Sequence, residues 1–180
     1  MDLLTIGPDT GTLTLHTGVE GKAAKMGHAL TIGLSDWAAE VTLEQGAPTS
    51  VTLRAGLASF GVQRGEGGVK PLSDKDKRTI RDSALGSLSA DKHPDVTFTS
   101  TAVQPRDGGW SIDGQLTVAG VTKPARVDVD LADAGGMVSL SALVPVVQTE
   151  HGVKPYSAMM GTLKLRDRVD VRVAATVPRP

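Results

Sequence analysis

The chain contains no cysteine in its 180 residues. That absence excludes disulfide scaffolds, thiolate zinc sites, iron–sulfur clusters and cysteine nucleophiles. Aromatics are scarce, with two Trp, two Phe and one Tyr; the apolar content resides in Leu, Val and Ala. There is no excess of charge of either sign, since 19 Lys+Arg face 20 Asp+Glu for a net charge of -1. Such a balance gives no overall electrostatic footprint for nucleic acid or an anionic membrane. No apolar run approaches the ~18 residues of a membrane span. The opening Met1-Asp2-Leu3-Leu4-Thr5-Ile6 has neither the basic region nor the apolar run of a signal peptide, so the expected location is the cytoplasm. The length fits one domain over residues 1–180, able to bury roughly 70% of its unfolded surface.

What the sequence does have is alternation with a period of two. Trp110, Ile112, Gly114, Leu116 and Val118 alternate with polar neighbours; so do Ala125, Val127, Val129 and Leu131, and Val169, Val171, Val173 and Ala175. Each run reads as a strand with one apolar and one wet face. Weaker copies occur around Leu13, Leu30, Ala39, Val51, Val96 and Val138, giving nine or ten strands. Gly 21 and Pro 10 supply the punctuation, in turn signals such as Asp107-Gly108-Gly109 and Ala134-Gly135-Gly136. Gly65-x-Gly67-Gly68 reads as a flexible connection, because it lacks the Lys-Ser/Thr that completes a phosphate cradle.

One segment, residues 73–89, breaks the period. Ser73 is placed to cap a helix, Asp74 and Asp76 fall in the first turn, and Ile80, Ala84 and Leu88 form a narrow apolar stripe. This predicts one amphipathic helix, suited to lie on a sheet or plug a barrel end. Two loops echo each other: Gly68-Val69-Lys70-Pro71-Leu72-Ser73 and Gly152-Val153-Lys154-Pro155-Tyr156-Ser157.

An all-β chain of half-buried strands must close on itself or fold double. Packed solidly, it is a sandwich without a cavity. Closed widely around medium aliphatics and few aromatics, it encloses an apolar space that takes an apolar guest.

The residues also carry a resemblance. The stretch Gly21-Lys22-Ala23-Ala24-Lys25-Met26-Gly27-His28, the Gly67–Asp76 loop, His93-Pro94-Asp95-Val96-Thr97-Phe98, the Gly114–Pro124 strand and turn, and Gly152–Gly161 occur in one order. In this the chain resembles the YceI-like family of polyisoprenoid-binding proteins. The resemblance implies an extended lipocalin-like antiparallel β-barrel with one helix, holding a long isoprenoid lipid or isoprenoid quinone for storage, transport or sequestration. Two positions depart from the family pattern: Ala29, where an acidic residue is usual, and His151, where an aromatic is frequent.

The expected apolar lining is Leu30, Ile32, Leu53, Phe98, Leu116 and Val118, joined by Met159, Met160, Leu163 and Leu165. At most one of Met159 and Met160 points inward if they lie on a strand. The candidate polar mouth is His28, Lys70, Lys154 and Tyr156, which would hydrogen-bond or neutralise a head group. Each also has a plain reading, as a strand-end histidine, solvated loop lysines and a surface tyrosine. Trp37 and Trp110 read as barrel-end packing. No catalytic set, metal site or cofactor is expected. The four histidines are scattered, no Gly-x-Ser-x-Gly elbow occurs, and Asp74-x-Asp76 is helix-start chemistry. Two further readings stay open: a ligand-free stress-response or interaction protein of the same fold, and a small enzyme using His28 or Tyr156 on an isoprenoid substrate. An exposed edge strand could pair in a homodimer.

Overall fold

A computed structural model describes residues 1–179. In chain order the elements are β1 (Asp2–Ile6), β2 (Gly11–His16), β3 (Val19–Glu20), β4 (His28–Leu34), β5 (Trp37–Glu44), β6 (Ala47–Gly56) and β7 (Phe60–Gly67). Helix α1 (Asp74–Ser87) follows, then β8 (Asp95–Arg106), β9 (Gly109–Val118), β10 (Val121–Asp133), β11 (Met137–Val147), β12 (Ser157–Ala158), β13 (Leu163–Leu165) and β14 (Arg168–Pro178). Eleven strands form one antiparallel sheet in the order β1-β5-β6-β8-β9-β10-β11-β14-β2-β4-β7, and β12-β13-β3 form a small second sheet. No helix among the described residues is long and apolar enough to cross a membrane.

The alternation reads through to register. On β9 and β10, Val127 pairs with Ile112 and Val129 with Trp110, so the apolar sets share one face. On β11 and β14, Leu140 pairs with Ala175 and Val144 with Val171. These inner faces curl the sheet into a lipocalin-like barrel, but hydrogen bonds do not complete it. The edge strands β1 and β7 each pair on one side only. The chain crosses the seam by three short connections, at residues 7–10, at Ser35-Asp36 and through the tight turn Leu57–Ser59. Local bonds tie the last two together: Ser35 N–H donates to Ser59 Oγ at 3.1 Å and Gly56 N–H to the Asp36 carbonyl at 2.8 Å. Ile6, Leu34, Trp37 and Phe60 then seal the seam as part of the main apolar cluster.

Helix α1 lies along β7. Lys77 Nζ donates to the Gln63 carbonyl at 3.2 Å; Arg81 donates to the carbonyls of Phe60 at 2.8 Å and Ala58 at 2.7 Å. Its start follows the sequence expectation. Ser73 Oγ accepts from Asp76 N–H at 3.1 Å, and the Asp76 carboxylate accepts from Ser73 N–H at 2.9 Å, a reciprocal capping box. Ile80, Ala84 and Leu88 pack on the main cluster, and Leu85 joins them.

Two strand expectations need correction. Among the described residues the count is fourteen, because β1, β7 and the three short strands of the second sheet carry little alternation. Gly65 and Gly67 belong to β7 and are no flexible connection. Gly65 lies close under Leu72: a Cβ there would meet the Leu72 side chain at 2.5 Å and displace it.

Candidate ligand-binding cavity

The inner faces do not meet. They leave one apolar cavity of about 730 Å³. Its wall runs from Val138 to Val146 along β11 and from Trp110 to Val118 along β9. Eight residues at about 3.4 Å each make a wall of ~27 Å. Helix α1 contributes Ile80, Ala84 and Leu88, and beside them Thr79, Ser83 and Ser87. Those three hydroxyl residues are solvent-exposed as well as cavity-lining, so the space opens to solvent along the helix.

The polar groups are concentrated at the end formed by the second sheet and its flanking loops. Thr17, His28, Gln148, His151, Lys154 and Tyr156 all line it there. His28 is held by its far nitrogen: Nε2 lies 2.8 Å from the Lys70 carbonyl, and since a carbonyl only accepts, Nε2 carries the proton. The Gly68 backbone folds over this ring with φ +76, and a Cβ there would come within 2.3 Å of Nε2. His28 therefore pins the Gly67–Lys70 loop as well as facing the cavity. Gln148 donates from its amide to the Arg166 carbonyl at 3.0 Å, which leaves its oxygen free to accept.

Among the described residues, His151 is the one buried polar side chain, 4% exposed. Its Nδ1 lies 2.9 Å from the Val121 carbonyl and must donate to it. Every fully buried side-chain nitrogen and oxygen among the described residues has a hydrogen-bond partner. His151 Nε2 has none, so it keeps some accessible surface, and the residue lines the cavity. In the neutral ring this nitrogen is an acceptor.

The sequence-predicted residues divide cleanly. Leu30, Ile32, Leu53, Phe98, Leu116 and Val118 line the cavity, as do Leu163 and Leu165. His28, Lys154 and Tyr156 stand at its polar end, with Tyr156 60% exposed. Three residues lie elsewhere. Lys70 contributes its carbonyl to His28 while its side chain is solvated. Met159 and Met160 are not on a strand: they form a tight turn, with φ of 51 and 57, that reverses the chain between β12 and β13. The left-handed backbone turns both side chains away from the cavity, leaving Met159 49% and Met160 103% exposed. Sequence reasoning missed Gln148 and His151 as cavity residues. His151 was visible only as a departure from a family pattern, and Gln148 sits past the end of the β11 alternation.

A curled, nearly closed antiparallel sheet around one long apolar cavity, with a helix along its seam, defines a lipocalin-like, cavity-bearing β protein. Comparison with known proteins agrees. The YceI-like domain matches residues 4–177, and the chain belongs to that family. A UPF0312 protein of Pectobacterium atrosepticum is 45% identical over 58 residues, 31% of this chain and 30% of that protein. A UPF0312 protein of Shewanella baltica is 25% identical over 122 residues, 67% of this chain and 59% of the relative. The matches thus span about a third to three-fifths of the length of these curated relatives. Among solved structures, Burkholderia cenocepacia BcnA superposes with a TM-score of 0.70 at 17% identity, covering 96% of this chain and 99% of its own. A Campylobacter jejuni YCEI protein gives 0.62 at 14%, covering 83% and 84%. At those identities the structural likeness speaks to the fold alone.

Proposed function

We propose that the protein holds a long apolar molecule, an isoprenoid lipid or isoprenoid quinone, inside the barrel and stores, carries or sequesters it. The observation that carries this reading is the ~27 Å aliphatic wall around a cavity of about 730 Å³ with polar groups gathered at one end. The aliphatic lining of such a space lacks apolar partner atoms on one side, and a hydrocarbon chain supplies them. Affinity then comes from the tail, at about 0.8 kcal/mol per buried CH₂. His151, Gln148, Tyr156 and Lys154 orient the head.

Binding is favoured over turnover because, among the described residues, the cavity lining holds no carboxylate to work beside either histidine. Edge strand β1, where Leu3 is 63% exposed, is the place at which a second copy would pair in a homodimer. The test is chemical. Organic extraction of the purified protein should release a prenyl lipid detectable by mass spectrometry, and the delipidated protein should take up an added prenyl probe. An empty extract together with no uptake would overturn the reading.

A further inference from the structure

Three segments surround the polar end of the cavity: residues 19–28, the loop 68–70, and residues 153–164. They touch one another directly. Lys164 pairs with Glu20 across β13 and β3, Ala23 N–H donates to the Thr162 carbonyl at 2.8 Å, and His28 holds the Lys70 carbonyl. Together they carry five lysines, Lys22, Lys25, Lys70, Lys154 and Lys164, and a single carboxylate, Glu20. All five lysines are exposed. Every ion pair among the described residues uses an arginine, and none uses a lysine. Of the carboxylates near the ends of these segments, Glu66 pairs with Arg64, Asp76 closes the helix capping box and Asp167 accepts from Thr149, while Asp74 and Glu150 are exposed.

The same segments hold much of the exposed apolar surface. Val69 is 79% exposed, Tyr156 60%, Met26 and Met159 49% each, and Met160 103%. Single exposed apolar residues need no explanation, but a cluster rimmed by polar groups marks an interaction site. Met159 and Met160 stand in the left-handed region, which side chains other than Gly, Asn and Asp rarely adopt. The fold accepts that cost and turns two flexible thioethers into solvent.

We infer that this rim is a docking surface for an anionic lipid bilayer. Methionines, tyrosine and valine enter the interface, lysines engage the head groups, and the polar end of the cavity faces the membrane. The chain's balanced charge, which gave no footprint for a membrane, conceals a segregated one: the rim is basic although the whole chain has a net charge of -1. Binding at a membrane interface scales with buried apolar area plus electrostatic attraction to anionic lipids, and the rim offers both. The inference rests on the proposed function only for the cargo, since docking can be measured without any.

The test is co-sedimentation with vesicles of phosphatidylcholine alone and of phosphatidylcholine mixed with phosphatidylglycerol. The protein should bind the anionic vesicles, and added salt should release it. Lys22→Glu/Lys25→Glu should weaken that binding by more than about tenfold, given roughly fivefold per lysine near an anionic surface. Met159→Asn/Met160→Asn keeps a residue type that tolerates the left-handed turn and should also weaken it. None of these four side chains lines the cavity, so uptake of a prenyl probe in solution should be unchanged in both variants. Equal binding to neutral and anionic vesicles, binding to neither, or indifference to both variants would overturn the inference. Vesicle binding without probe uptake would instead remove the proposed cargo and leave the docking surface standing.

Discussion

The two walls of the barrel follow the same alternating pattern and reach opposite outcomes. On the seam side, β1, β2, β4, β5 and β7 supply Ile6, Leu13, Leu34, Trp37 and Phe60 to one buried cluster. On the far side, the inward residues of β10 and β11 are half-buried or exposed, and of them Val138 and Leu140 pack against that cluster. The first wall is solid at the seam, where two aromatics and the short crossings draw its strands together, although its inner face still borders the cavity. The second is lined by Val, Leu and Ala, too small to reach across. The lesson is that alternation decides which face is apolar, while side-chain volume decides whether that face packs or encloses space.

Large-to-small changes should expose this difference most strongly. Trp37→Ala on the solid wall should cost about 3–5 kcal/mol, whereas Val129→Ala, which borders open space, should cost under about 1 kcal/mol; urea denaturation compares them. Similar losses would mean the far wall is packed in solution. Small-to-large changes come next. Ala55 is 1% exposed in the solid cluster, so Ala55→Leu should destabilise by about 1–3 kcal/mol. Val118→Phe projects into the cavity and should leave the melting temperature nearly unchanged while reducing prenyl-probe uptake.

The smallest expected effect concerns the helix along the seam. Ser73→Ala should cost about 1 kcal/mol and raise helix fraying, measured by amide hydrogen exchange in α1. Acid should act on the same end. Hydrogen bonds from the Ser73 backbone and hydroxyl hold the Asp76 carboxyl below its ordinary value of 3.8. A depressed value in the fold means the contribution is complete above the ordinary range and is lost as pH falls through the lowered one. Exchange in the first turn of α1 should therefore rise below about pH 4, and the Ser73→Ala variant should show less of that rise.

Much of this was legible in the sequence because it is local. Strands β9, β10 and β14 were readable from period alone, and α1 from its cap, its first-turn aspartates and its apolar stripe. Strand β7 was not: its sequence, Phe-Gly-Val-Gln-Arg-Gly-Glu-Gly, has weak strand propensity and is held by pairing with β4 and by the helix laid over it. The lining residues drawn from alternation fall on the cavity wall. Met159 and Met160 failed because a strand was assumed where the backbone makes a left-handed turn. His151 depends on where a tight turn sets its ring relative to Val121, a relation thirty positions apart in sequence.

The cover that α1 gives β7 has a consequence for the protein's durability. Lys77 and Arg81 hold carbonyls of an otherwise unpaired strand edge and the turn before it, and an uncovered edge is a template for pairing with other chains. A helix lifted far enough to widen the opening would also unmask that template. Under the proposed function, cargo exchange and self-association would then be competing outcomes of one movement, and the working life of the empty protein at elevated temperature should shorten as its concentration rises.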